Sequence, residues 1–181
     1  MRWIIRMCVA AILCAALAPA VSAGGLTGVE VMTSTVMQEK QSSFSGVALR
    51  VQIASDRLIQ NLEILPTVEY WRNANTVEPF GIRTTRKDAT LGADIRYVFS
   101  STRMQPYVGA GFGLHFLASS VDAPSLGLDH ETNALVKGGL SALGGVTFPL
   151  SGRFENFIEL KYHHVPSYRQ LKFNWGLSIQ L

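Results

Sequence analysis

Apolar and polar residues alternate with a period of two in two neighbouring segments, Thr90 to Phe99 and Pro106 to Leu117. This period is the signature of a β-strand that has one apolar face. The opposite face carries glycine and charged residues instead of the Lys, Thr and Ser mixture typical of a solvated sheet. Glycine weakens a strand, so its repetition predicts close approach of side chains inside a small closed barrel. The apolar face carries Leu91, Ala93, Ile95, Tyr97, Phe99, Val108, Ala110, Phe112, Leu114 and Phe116.

Six further segments alternate in the same way, which predicts eight strands in all. Pro66, inside the third segment, lacks a backbone donor and predicts a bulge or a locally open pairing there. The six segments run about from Leu26 to Val36, Phe44 to Ile53, Gln60 to Trp71, Asn133 to Phe148, Phe154 to His164 and Leu171 to Leu181.

The connections between these segments differ in length. Those at 54–59, 100–105 and 150–152 are short, whereas those at 38–43, 72–89 and 118–132 are generally longer, with a shorter one at 165–170. Short periplasmic turns and longer outer loops are typical of an even-stranded transmembrane barrel, so the long connections are predicted to lie outside the cell. Aromatic residues at both strand ends predict two interfacial girdles: Tyr97, Phe99, Phe148 and Phe154 at one end, and Tyr70, Phe116, Tyr162 and Phe173 at the other.

A soluble secreted barrel of the lipocalin kind, with its apolar face inward, gives the same alternation. Three features favour the membrane alternative: the glycine-rich polar face, the final amphipathic strand, and a charged fraction of 16%, against about 25% in soluble domains. No internal apolar run approaches the ~20 residues of a spanning helix. The predicted fold is therefore all-β, an eight-stranded antiparallel up-and-down transmembrane β-barrel.

The N-terminus resembles a secretory signal. Arg2 and Arg6 precede an apolar run from Met7 to Leu17, and Val21-Ser22-Ala23 predicts cleavage before Gly24. We therefore expect a signal peptide at 1–23 and the barrel domain at 24–181. Both cysteines lie in the signal, which excludes a disulfide in the mature chain. Arg2 and Arg6 carry two of the 16 basic charges, so cleavage leaves 14 basic against 13 acidic residues, a balance that does not indicate nucleic-acid binding.

The run LGADIRYVFSSTRMQPYVGAGFGLHF resembles the centre of the small outer-membrane β-barrel family of the OmpA and OmpX type. The final segment FNWGLSIQL is similar to that family's closing strand, although it ends on leucine where phenylalanine is commoner. The resemblance implies location in the outer membrane of a Gram-negative bacterium and contact with outer-membrane lipid. Contact with lipopolysaccharide phosphates is an interpretation of the basic residues Arg83, Arg86 and Lys87 in the connection at 72–89, and solvated loop charge is the alternative. The resemblance also implies insertion by the barrel assembly machinery and a monomeric state. It does not fix an activity.

A second resemblance is to the lipid A 3-O-deacylases of this barrel class. The segment from Glu159 to Ser167 lies where those enzymes carry a His-x-Ser pair and a downstream acid. Their chemistry needs an imidazole that activates a serine hydroxyl. Here the candidate catalytic residues are His163, His164 and Ser167. His164 and Ser167 are three residues apart, and no Asp or Glu follows Glu159.

Eleven charged residues are predicted to point into the lumen, which in an eight-stranded barrel is too narrow for a porin-like channel. Because unpaired buried charges are costly, we expect a paired network that plugs the lumen. The first functional hypothesis is thus an integral outer-membrane protein with outer loops for structural or interaction roles, and the alternative is a lipid-modifying hydrolase. A metal site formed by His115, His163 and Glu69 is an alternative to the interpretation of both histidines as ordinary lumen residues. We predict no cofactor and no metal. The eleven residues are Glu30, Glu63, Glu69, Asp94, Glu155, Glu159, Arg50, Arg96, Lys137, Lys161 and Lys172.

Overall fold

The computed structural model describes residues 25–39, 42–54, 59–77, 82–99, 104–123, 128–166 and 168–181, so the predicted signal peptide at 1–23 lies outside the described residues. Each of the eight predicted segments forms a strand. The strands are β1 (Leu26–Gln38), β2 (Phe44–Ala54), β3 (Leu62–Val77), β4 (Ile82–Val98), β5 (Gln105–Ala123), β6 (Leu128–Ser151), β7 (Phe154–Val165) and β8 (Tyr168–Gln180). Within the described part of the chain, no helix is both long and apolar enough to cross a membrane.

The strands form one closed antiparallel barrel in chain order, and β1 pairs with β8 to close it. The predicted fold class is therefore confirmed. Closure leaves no sheet edge, so every strand has a neighbouring strand on both sides, as a bilayer requires. The period-two alternation decides which side chains point outward, because successive residues of a strand face opposite sides of the sheet.

The outward face is apolar and exposed. Val31, Phe112, Leu140 and Trp175 are 57%, 58%, 67% and 52% exposed, and they belong to an apolar surface that surrounds the barrel. A contiguous apolar surface around a whole barrel is typical of a membrane-facing protein and not of a soluble monomer. The lipocalin-like alternative, which needs these side chains inside, is wrong for this fold.

Predicted girdle residues lie on this outward face. Tyr97 and Phe154 at the turn end are 39% and 51% exposed, and Tyr162 at the other end is 42% exposed. Tyr70 and Phe116 both pair with Ala89 of β4, so the two rings lie in one row across three strands. Such a row at one end of the strands is the arrangement expected of an interfacial girdle.

The prediction of long loops at 72–89 and 118–132 is wrong over most of their length. β3 and β4 stay paired from Arg72 with Lys87 as far as Val77 with Ile82. The β5–β6 hairpin extends in the same way beyond the predicted ends of its strands. These extensions are polar in sequence, so a search for apolar alternation missed them. In these extensions the backbone N–H and C=O groups of neighbouring strands still hydrogen-bond to each other, so the strands stay paired outside the membrane.

The short connections at the other end need special backbone conformations. Asn61 has φ 65° and Gly152 has φ 58°, in the left-handed region that these two residue types adopt most readily. Pro66 interrupts pairing with β2 but not with β4. Val51 and Gln52 of β2 have no partners on β3, and the β2–β3 register is the same on both sides of this gap. The locally open pairing predicted for Pro66 is confirmed, and no bulge is present at that position.

The inside of the barrel is crowded, as its glycines predict. A Cβ atom on Gly145 would lie 2.5 Å from Tyr107 Oη and 2.6 Å from its Cζ, so this glycine makes room for the inward-pointing ring. The interior also holds two apolar clusters that the sequence did not indicate. One is formed by Met32, Ala48 and Phe157, and the other by Val36, Phe44 and Trp71 with Leu117 packed against them.

Candidate functional site

Arg50 of β2 is buried inside the barrel and binds carboxylates from three other strands. Its Nη1 donates to Glu30 Oε2 of β1 at 3.0 Å. Nη1 and Nη2 donate to the two carboxylate oxygens of Glu159 of β7 at 3.0 and 2.9 Å. Asp94 Oδ2 of β4 lies 3.7 Å from Nη2. A planar guanidinium suits this arrangement, because it presents several donors in a fixed fork and stays charged.

The network continues from these carboxylates to further strands. Arg96 of β4 donates to Glu30 at 2.8 Å and to Glu63 of β3 at 2.5 Å. Lys161 of β7 donates to Asp94 Oδ2 at 2.6 Å. The remaining strands contribute neutral donors, which are Tyr107 of β5 to Glu159, Ser141 of β6 to Asp94, and Asn174 of β8 to Glu159. All eight strands therefore contribute to one connected hydrogen-bonded network inside the barrel.

The other predicted inward charges lie towards the barrel ends. Lys172 and Glu69 form a buried ion pair of 2.6 Å. Glu155 accepts a hydrogen bond of 2.7 Å from Gln180, and Lys137 donates to the backbone carbonyl of Pro166 at 3.0 Å. The inward direction predicted for these residues is confirmed, although Glu155 and Lys137 are only partly buried.

Two histidines meet at the outer end of the lumen. His115 Nδ1 lies 2.7 Å from Asp88 Oδ2 and 2.9 Å from Thr90 Oγ1. Because a carboxylate only accepts hydrogen bonds, this contact places a proton on His115 Nδ1. His115 Nε2 lies 3.2 Å from His163 Nε2, within hydrogen-bonding distance. His163 Nδ1 is buried and has no hydrogen-bond partner among the described residues.

These histidines do not join Glu69 in a metal site, since Glu69 pairs with Lys172. Among the described residues, no group of three or more His, Cys, Asp or Glu side chains is placed to hold a metal ion. Asp88 was missed by sequence analysis because it lay in a predicted loop. The signal that would have found it is the continued alternation of Arg86, Asp88 and Thr90 on the inward face.

The two candidate catalytic histidines face opposite sides of β7. His163 points into the lumen and is 2% exposed, whereas His164 points outward from the same strand. Ser167 lies outside the described residues. His164 borders an apolar groove of about 330 Å³ on the outer surface, which Phe112, Leu114, Leu140 and Pro166 also line.

A cavity of about 260 Å³ lies at the outer mouth of the lumen. Trp71 and Leu117 of the second apolar cluster line it together with Arg86, Lys87 and Lys137. The sequence prediction places Arg86 and Lys87 in the long connection at 72–89. The structure places Arg86 and Lys87 on β4, next to the lumen.

The comparisons with known proteins show the fold. No protein family model matches the sequence. No curated protein matches it. Among solved structures, the neisserial surface protein NspA is 19% identical, with a TM-score of 0.61, and the match covers 86% of this chain and 97% of that chain.

Two further structures match over similar lengths. The attachment invasion locus protein Ail of Yersinia pestis, solved with the heparin analogue sucrose octasulfate, is 12% identical with a TM-score of 0.62, covering 87% of this chain and 99% of its own. A major outer membrane protein from Thermus thermophilus is 12% identical with a TM-score of 0.64, covering 86% and 99%. The chain thus has the fold of small bacterial outer-membrane barrels. The apolar outer surface agrees with the predicted location in an outer membrane.

Proposed function

We propose that this chain is an integral outer-membrane protein whose lumen is closed to ions and solutes by its own side chains. Its outer hairpins then serve structural or interaction roles. The observation that carries the proposal is the network around Arg50, to which all eight strands contribute. An eight-stranded barrel is just wide enough for side chains to fill its interior. Outer-membrane lipid, lipopolysaccharide and the barrel assembly machinery are its proposed partners, and a monomer is its proposed state.

Energetics support a closed lumen. A buried charge without a partner is strongly destabilising, so opening a water path through the network would require several ion pairs to separate together. Arg50 alone would have to leave the carboxylates of Glu30 and Glu159, both of which it contacts within hydrogen-bonding distance. Two apolar clusters fill further parts of the interior.

Planar-bilayer recording tests this proposal. The wild-type barrel, refolded in detergent and reconstituted, is expected to give no stable single-channel steps, and liposomes that contain it should not swell in small sugars. Arg50→Ala should introduce a leak, whereas Arg72→Ala, which removes an exposed arginine of β3, should not. Steady conductance of the wild-type protein would refute the closed lumen.

One observation favours the hydrolase as a second candidate function. His164 lies on the membrane-facing surface beside an apolar groove, a position from which an imidazole could meet an acyl ester of a neighbouring lipid. His163 lacks this access because it is buried in the lumen. Lipid A mass from cells that express the wild type, His164→Gln and Ser167→Ala tests this candidate. Loss of an acyl chain that requires both residues would support it.

A further inference from the structure

The cavity at the outer mouth is positively charged. Arg86, Lys87 and Lys137 line it, and none of the described lining residues carries a carboxylate. The nearby acid Asp88 is fully buried and lies against His115. Several cationic side chains around one concave site attract anions, and the attraction is strengthened where low-dielectric walls surround the charges.

Two buried donors in the same region have no acceptor within the described part of the chain. Trp71 lines the cavity and is 3% exposed, and its indole Nε1 has no hydrogen-bond partner among the described residues. Asn73, two residues further along β3, is 9% exposed, and its Nδ2 also has no partner in the described structure. Asn73 is the register partner of Arg86. An indole N–H can only donate, and a buried donor left unsatisfied costs stability, so this site calls for an acceptor.

Size narrows the class of ligand. A volume of about 260 Å³ lies just below the range of roughly 300–1,000 Å³ for drug-sized ligands. The cavity therefore suits a single small anionic group with at most one sugar ring. Ser119 and Asn133 also line it and supply polar atoms for hydroxyl groups. Phosphate combines negative charge with several acceptor oxygens, and charge-assisted hydrogen bonds from arginine and lysine to phosphate are strong.

We propose that the outer mouth of the barrel binds a phosphate group, carried either by a soluble sugar phosphate or by a lipopolysaccharide headgroup. Arg86, Lys87 and Lys137 supply the positive charge, and Trp71 donates a hydrogen bond from below. The proposal rests on the proposed function in giving the outer end of the barrel an interaction role, and it does not require a closed lumen. A barrel that conducts but still binds phosphate would refute the closed lumen and leave this site standing.

The test is isothermal titration calorimetry on the refolded barrel, residues 24–181, in an uncharged detergent. The probes are glucose 6-phosphate, glucose as the neutral control, and lipopolysaccharide in mixed micelles. Arg86→Gln should weaken phosphate binding about tenfold or more, as expected for a lost charge-assisted hydrogen bond. Arg83→Gln is the matched control, because it removes one positive charge from the same strand at a residue that does not line the cavity.

Trp71→Phe separates a specific site from general electrostatic attraction. It keeps an aromatic ring against Phe44 and Val36 but removes the donor, so binding should weaken about tenfold while the net charge is unchanged. If Trp71→Phe does not fold, the comparison of Arg86→Gln with Arg83→Gln still tests whether the cavity binds phosphate, because both arginines are exposed.

Each outcome of these titrations is informative. Binding of glucose 6-phosphate that depends on Arg86 supports a soluble ligand, and the same dependence with lipopolysaccharide alone supports the headgroup. The proposal is overturned if neither phosphate probe binds saturably, or if glucose binds as well as glucose 6-phosphate. Equal weakening by Arg83→Gln and Arg86→Gln would also overturn it.

Discussion

Replacing Arg50 by methionine removes the cation that three carboxylates share. Methionine fills a similar volume without a charge, so the change probes electrostatics more than packing. The variant loses three hydrogen bonds of 2.9–3.0 Å, one to Glu30 and two to Glu159. We expect the barrel to become less stable because carboxylates stay buried after their partner is gone.

The size of the loss in unfolding free energy depends on which hydrogen-bond donors each carboxylate keeps. Glu30 retains Arg96 and Gln52 as donors, and Asp94 retains Lys161. Among the described residues, Glu159 keeps the neutral donors Tyr107 and Asn174 and no cationic hydrogen-bond partner. Breaking a buried ion pair costs about 3–5 kcal/mol, and because Glu159 is the one carboxylate of the three that is left without a described cationic partner, we expect a loss of about 3 kcal/mol.

Equilibrium urea unfolding of the refolded barrel in phospholipid vesicles, followed by tryptophan fluorescence, measures this loss. Arg72→Met is the matched control, because Arg72 lies on β3 and is exposed. The double variant Arg50→Met, Glu159→Gln should recover about 1–2 kcal/mol, since it no longer buries an unpaired carboxylate. The reasoning is refuted if Arg50→Met costs no more than Arg72→Met, or if the double variant recovers nothing.

Two further predictions follow from packing and from the candidate histidines. Gly145→Val should destabilise the barrel by about 1–3 kcal/mol through overpacking against Tyr107, whereas Gly138→Val, whose added Cβ meets nothing within 4 Å, should not. Urea unfolding of both variants checks this, and equal midpoints would contradict it. Expression of the wild-type protein should leave the mass of lipid A unchanged in mass spectrometry. The variant His163→Gln should give the same mass, because His163 is buried against His115. Loss of an acyl chain on wild-type expression would favour the hydrolase.

Local patterns in the sequence predicted the strands and the two faces of the sheet. Alternation in β5 and β8 was complete, and all the outward residues predicted there are outward in the barrel. The same reasoning missed the extended hairpins, because a ladder in water needs no apolar face and therefore leaves no alternation of hydrophobicity. Asp88 lies in such an extension and was missed for that reason.

Pairing across the lumen could not be predicted from local patterns. Arg50 and Glu159 are 109 residues apart, and their contact depends on the register of every strand between them. The sequence indicated that His115 and His163 both point inward at the outer end, but their 3.2 Å contact depends on barrel width and stagger. The apolar cluster of Val36, Phe44, Trp71 and Leu117 was missed because its members come from separate strand ends.

Tryptophan quenching by brominated lipid tests the central claim most directly, namely that the alternating apolar face meets lipid and the opposite face fills the lumen. Residues 24–181 contain two tryptophans, of which Trp175 is 52% exposed on the outer face and Trp71 is 3% exposed inside. With Trp71→Phe, the signal from Trp175 should be strongly quenched by brominated phospholipid. With Trp175→Phe, the signal from Trp71 should be nearly unaffected. Strong quenching of Trp71 and none of Trp175 would contradict the assignment of the two faces.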